Sequence, residues 1–169
     1  TGQGTCDDSD AGYYVATTAQ SSQTECAIGN YQALTGQSTC DDAGAGYYVD
    51  LSLGIAQTNQ TACLAGTYNP ITGSTNSSAC IICPIYTSTL SNASQSIAAC
   101  KLDTDLDNIP DIIDPDDDND GTIDELDAFP LDDSEDKDTD GDGIGDNLQA
   151  KLDAKLDAKL EAKAQTQML

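Results

Sequence analysis

Between Asp103 and Asp146 the aspartates fall at alternate positions, and an Asn or Gly follows each cluster: DTDLDN, DDDNDG and DTDGDG. This stretch constrains the fold more than any other. Residues 101–147 carry 20 acidic residues against two Lys, a formal charge near −18. Repulsion at that density prevents compaction unless cations neutralise it. Blocks of like charge are ordinarily solvated tails, but such tails do not confine Asp to odd positions followed by a turn residue. Calcium loops do. Calcium takes six to eight oxygens, with carboxylates at positions 1, 3 and 5, a backbone carbonyl at 7 and further carboxylates later. Three segments fit. The first uses Asp103, Asp105, Asp107, Asp111 and Asp114, with Asn108 at the turn. The second uses Asp116, Asp118, Asp120, Asp124 and Asp127, with Gly121 at the turn. The third draws on Asp136, Asp138, Asp140, Asp142 and Asp146 and can be framed two ways, with position 12 on Asn147 or Gln149; it is expected to be the weakest or the most dependent on a neighbouring loop. Several Ca2+ ions are the expected cofactor.

Loop one starts 13 residues before loop two, which leaves no room for the helix that follows each loop of EF-hands and dockerins. The segment DxDxDNxxDxxDPDDDNDGxxDxxDAFPLD followed by DTDGDGIGDN instead resembles thrombospondin type 3 repeats over about residues 103–147. The resemblance implies a chain wrapped around a string of calcium ions with almost no hydrophobic core. Ile112, Ile113, Leu126, Phe129 and Leu131 are expected to be small packing anchors, with Pro110, Pro115 and Pro130 stiffening the connections.

The first 100 residues contain seven acids, no Lys or Arg, no Phe or Trp, and only 14 Val, Ile or Leu, too few for self-sufficient burial. All seven cysteines lie there, so disulfides and an oxidising compartment are expected. A zinc site is disfavoured because the chain has no His and a single CxxC pair, Cys80 and Cys83. TGQGTCDD at residues 1–8 returns as TGQSTCDD at 35–42, and AGYYV at 11–15 returns at 45–49, a period of 34. Inside it runs a shorter (C)xxGxY unit starting at Ser9, Cys26, Ala43, Cys63 and Cys83. A turn-forming Gly beside a Tyr at this spacing predicts stacked two-stranded loops.

CLAGTYNPITG with CIIC resembles the cysteine-rich repeats of ephrin-receptor-like and tumour-necrosis-factor-receptor-like ectodomains, over about residues 1–100. The resemblance implies pairing of Cys26 with Cys40, Cys63 with Cys80 and Cys83 with Cys100. Cys6 is then left for a preceding segment or another molecule. Ser9 and Ala43 stand at opening-cysteine positions, so their units are expected to hold by packing alone. Pairing of Cys6 with Cys26 and Cys40 with Cys63 stays open from sequence. Asn59, Asn76 and Asn92 begin N-glycosylation sequons.

Residues 148–163 repeat in fours with strong helix formers, which predicts a helix. Leu148, Leu152, Leu156 and Leu160 drift by about 40° per repeat, so they cannot make a long coiled-coil seam. Either the helix is a solvated spacer or its leucines dock on another copy. No apolar run reaches the roughly 18 residues of a membrane span, and the net charge of −24 disfavours nucleic acid and anionic lipid. The start at Thr1, without Met or signal segment, points to a processed or excised piece. Without His or Arg, and with the aspartates committed to metal loops, an enzyme is not expected. The expected architecture is irregular and elongated: small disulfide-rich β repeats (1–100), calcium-wrapped loops (101–147) and a C-terminal helix (148–169). The expected role is an extracellular calcium-binding structural rod that assembles with copies of itself. The alternative is a stalk or ligand-binding ectodomain of a surface adhesin or receptor that meets glycans or surface proteins.

Overall fold

The computed structural model describes residues 8–17, 20–50, 52 and 54–167. Cys6 lies outside them. Two compact bodies divide between Leu102 and Asp103, so the helix shares a body with the Asp-rich loops.

The N-terminal body is a succession of two-stranded antiparallel hairpins. Strand β1 (Tyr13–Tyr14) pairs with β2 (Thr24–Glu25), β3 (Asn30–Tyr31) with β4 (Asp41–Asp42), and β5 (Tyr47–Tyr48) with β6 (Thr61–Ala62). Then β7 (Thr67–Tyr68) pairs with β8 (Ile81–Ile82), and β9 (Thr87–Thr89) with β10 (Cys100–Leu102). Each hairpin is one sequence unit. A tight turn opens every unit: the backbone N–H of Tyr13, Asn30, Tyr47, Thr67 or Thr87 donates to the carbonyl three residues earlier. The residue just before that donor has positive φ and is Gly12, Gly29, Gly46 or Gly66 in the first four units. That is the third position of a type II turn, where glycine costs least.

Units are joined through backbone. The N–H groups of Cys26, Ala43, Cys63 and Cys83 donate to the carbonyls of Gly12, Gly29, Gly46 and Gly66, at 2.8–2.9 Å. Contact also reaches the next unit but one. A Cβ on Gly12, Gly29 or Gly46 would collide with the carbonyl of Ala56, Gly73 or Ala93 respectively. In the last unit Tyr86 takes the glycine's place at φ 60°, with its side chain half exposed. No hairpin of this body lies two units beyond it, so the close approach that demands glycine does not occur there.

The interior is two columns of small or polar residues. One is Ser9, Cys26, Ala43, Cys63 and Cys83, each at most 7% exposed. The other includes Gln32, Val49, Asn69 and Thr89. Asn69, 0% exposed, donates to the Tyr47 carbonyl (2.8 Å) and Ser74 Oγ (2.9 Å) and accepts from the Ile71 N–H (3.0 Å). Its amide therefore organises a loop and a neighbouring unit. Disulfides join Cys26–Cys40, Cys63–Cys80 and Cys83–Cys100, with Cα separations of 5.7, 5.5 and 5.9 Å. This pairing excludes Cys40–Cys63. Loops of this length give about 3 kcal/mol each by chain-entropy arguments. Packing alone does not describe Ser9: its hydroxyl donates to the Gln37 carbonyl and accepts from the Gln37 N–H, tying it to the next unit. Ala43 is fully buried instead.

In the C-terminal body the only regular element among the described residues is helix α1 (Asp146–Gln167), which starts two residues before the expected span. The expected apolar anchors fail as a core. Ile112, Ile113, Leu126 and Leu131 are 56–76% exposed, and Phe129 is half-buried. Pro110, Asp103, Asp118 and Glu135 are buried in their stead, so carboxylates occupy the interior. No described helix is long and apolar enough to cross a membrane.

Gly46→Ala is expected to cost about 1–2 kcal/mol for the left-handed backbone and about 1–3 kcal/mol for the collision with Ala93. Gly73→Ala is expected to cost about 1 kcal/mol, because its Cβ meets nothing within 4 Å and Ala56 and Ala93 already hold comparable positive-φ turns. Equal losses in urea unfolding would refute the interlocked stacking.

Candidate metal centre

Alternating aspartates fold locally by bonding their own backbone. Asp105 accepts from the Asp107 N–H, Asp107 from Ile109, Asp118 from Asp120, Asp120 from Thr122, Asp140 from Asp142, and Asp142 from Ile144. Each such turn leaves a second carboxylate oxygen. Positive φ recurs at loop positions 4 and 6: Leu106 and Asn108, Asn119 and Gly121, Gly141 and Gly143. This curls the backbone so that alternate side chains converge. Asp103, Asp105 and Asp107 come together, as do Asp116, Asp118 and Asp120, and Asp138, Asp140 and Asp142, with ligand oxygens within 4.8 Å of one another in each trio.

A second contact sets the frame. The N–H at position 2 donates to the carboxylate at position 9 in every loop: Thr104 to Asp111 (2.8 Å), Asp117 to Asp124 (2.9 Å) and Thr139 to Asp146 (2.9 Å). Thr104 and Thr139 add their hydroxyls to the same carboxylates. The third loop therefore begins at Asp138 and puts Gln149 at position 12. Asp136 lies outside the trio and pairs with Lys137. Asp111 and Asp146 have both oxygens engaged by a threonine, so they brace the loops rather than face the trios. Asp124 makes the equivalent backbone contact through one oxygen. Asp114 and Asp127, at position 12, each accept from a backbone N–H two residues on.

The first two trios contain carboxylate oxygens that are buried and have no hydrogen-bond partner: Asp103 Oδ1, Asp116 Oδ1 and Asp118 Oδ2. Asp103 and Asp118 are themselves only 2% and 8% exposed. A buried, unpartnered carboxylate costs several kcal/mol, so these oxygens fit a hard cation. Burial, with repulsion from neighbouring aspartates, raises the carboxyls of Asp103 and Asp118 above the usual range, and burial also raises Asp114. Asp146 moves the other way because the Thr139 hydroxyl donates to it.

Asp117 was not among the sequence candidates. It stands at position 2, where the other loops have Thr, and its Oδ1 is buried without a partner. Burial, then the charges of Asp124, Asp111, Asp114 and Asp118, push it up to about 6. Its neighbours thus come from both of the first two loops, which Asn119 also links by donating to Asp105 (2.9 Å). An Asp at position 2, where both other loops have Thr, was the available signal.

Asn59, Asn76 and Asn92 are all exposed. Asn76 caps the short 3-10 turn Ser77–Ala79 by accepting from Ser78, and Asn92 accepts from the Ala65 N–H. The Asn59 amide donates to Thr58 Oγ1. In comparison with known proteins, the chain matches no family model and no curated protein.

Raised carboxyls bind protons more readily folded than unfolded. The stability they contribute is complete below about 3.8 and is lost as pH rises through their folded values, about 6 for Asp117. The chelated protein is therefore expected to melt at a higher temperature at pH 4.5 than at pH 7, with Asp117→Asn narrowing the difference. A melting temperature flat across that window would contradict the assignment. Saturating calcium is expected to reverse the order, because it binds deprotonated carboxylates.

Proposed function

We propose that this chain is an extracellular calcium-binding structural segment, in which disulfide-stapled repeats and calcium-stiffened loops, similar to thrombospondin type 3 repeats, make an elongated rod. The observation that carries the reading is the pair of buried carboxylates, Asp103 and Asp118, each with an oxygen that no protein group satisfies. Calcium accounts for that arrangement better than other biological divalent ions. The donors are all oxygens, which disfavours zinc, and curled flexible loops suit calcium's irregular shell better than magnesium's strict octahedron. Three disulfides fit an oxidising, extracellular-type environment.

The rod assembles with copies of itself into a filament or surface layer. Support comes from unit-on-unit stacking through backbone bonds, and from apolar side chains on the outside of the stack, such as Leu64, Ile82 and Ile85 at 69–79% exposure. Electron microscopy in millimolar calcium is expected to show filaments that loosen on chelation. Single particles in both conditions would favour the stalk or receptor alternative.

Calorimetric titration is expected to count one ion per trio, and Asp103→Asn and Asp118→Asn each to weaken one site at least about tenfold, since ligand charge tunes calcium affinity over decades. Unchanged binding in both variants would remove the basis of the reading.

A further inference from the structure

The first two loops meet across a single residue. Pro115 separates Asp114, position 12 of loop one, from Asp116, position 1 of loop two. The Asp116 N–H donates back to Asp114 Oδ1 (3.1 Å), and the Asp124 N–H, at position 9 of loop two, donates to the Pro115 carbonyl (3.0 Å). The second loop therefore starts from a fixed origin on the first.

A side chain also crosses between them. Asn119, position 4 of loop two, donates through Nδ2 to Asp105 Oδ2 (2.9 Å), a carboxylate of the first trio. The other oxygen, Asp105 Oδ1, accepts from the Asp107 N–H (3.0 Å). Asp105 is thus gripped on both oxygens, once by its own loop and once by the next. An ionised carboxylate has about four acceptor sites, so two donors leave room for a cation.

Backbone geometry does not explain the asparagine. Position 4 has positive φ in all three loops: 68° at Leu106, 59° at Asn119 and 76° at Gly141. Leucine and glycine occupy the same conformation, so the turn itself does not call for an amide. The trio that the amide touches has an independent sign of a cation, because Asp103 is 2% exposed and its Oδ1 is buried without a partner. Asn119 also stands between Asp118 and Asp120, two members of the second trio, where Asp118 Oδ2 is likewise buried and unpartnered.

We propose that Asn119 is a positioning residue for the cation of loop one, supplied by loop two. The inference rests on the reading of the first two trios as cation sites. A cation at Asp103, Asp105 and Asp107 needs the Asp105 carboxylate in one orientation, and a hydrogen-bonded outer partner sets that orientation in advance. Loss of such a partner costs about 10–100-fold in metal affinity. By reciprocity, a cation that fixes Asp105 also fixes the turn between Asp118 and Asp120, so the two sites are coupled. Loop one is then incomplete without loop two.

Calorimetric titration of the full chain with calcium tests this with Asn119→Gly, which removes the amide at a positive-φ position where loop three already has Gly141. Loop one is identified as the binding step that Asp103→Asn weakens, and loop two as the step that Asp118→Asn weakens. In the Asp118→Asn background, Asn119→Gly is expected to weaken loop one about tenfold, the lower end of the range because the contact is exposed. In the Asp103→Asn background it is expected to weaken loop two at most about threefold, the entropic cost of a glycine. Binding retained at loop two also shows that the variant folds. A residue that serves only its own loop gives the opposite pattern. A larger loss at loop two than at loop one, equal losses, or no loss at either overturns the proposal and leaves the cation loops standing. No bound ion in the unaltered chain removes both.

Discussion

The chain has very little hydrocarbon to bury, and each body answers that shortage differently. Among the described residues the buried apolar side chains are Cys26, Ala43, Val49, Cys63 and Cys83 in the N-terminal body and Pro110 in the C-terminal body. Dispersion and hydrophobic transfer therefore cannot supply the free energy that ordinary domains draw from a core. The N-terminal body substitutes covalent staples and backbone bonds between units. Such bonds require the backbones to touch, and glycine at positions 12, 29 and 46 is what lets a carbonyl from two units away arrive there.

The C-terminal body takes the opposite risk. Its interior is built from carboxylates, the groups that are most costly to bury without a counter-charge. The backbone contacts of the three loops give it a definite shape before any ion is considered. Alternating aspartates fold the loop through their own N–H groups, and the carboxylate at position 9 locks its two ends. The remaining oxygens converge because their partners are already committed elsewhere. In the first two loops, loop form and the unpartnered oxygens of Asp103 and Asp118 belong to one arrangement, in which backbone N–H groups close the turns and leave these carboxylate oxygens buried.

Sequence reading captured the hairpin repeat because its Gly and Tyr recur at fixed spacing, and it captured the three trios because Asp alternates. It failed where the deciding term was long-range or sterically permissive. Ile112, Ile113, Leu126 and Leu131 read as anchors by hydrophobicity alone, yet the tight Asp-rich loops leave them exposed. Asp136 fitted one frame of the third loop as well as Asp146 fitted the other, and only the Thr139 contact distinguishes them. Asp117 went unnoticed because position 2 has no ligand role in the loop pattern. Part of the charge that acts on it, from Asp111 and Asp114, comes from the neighbouring loop.

The sequence by itself determined the elements of this protein: hairpins every 17 or 20 residues, loops of alternating aspartates that could hold cations, and a segment that prefers helix. These come from local chemistry, where turn geometry, charge spacing and helix propensity act within a few residues. Tertiary structure decided between the two cysteine pairings that spacing leaves open, in favour of the one the resemblance implies, and it decided which units touch across a gap of one and where the third loop closes on helix α1. Those outcomes depend on contacts between residues distant in the chain, or on which of two equal local options gains a partner, and neither can be read from spacing.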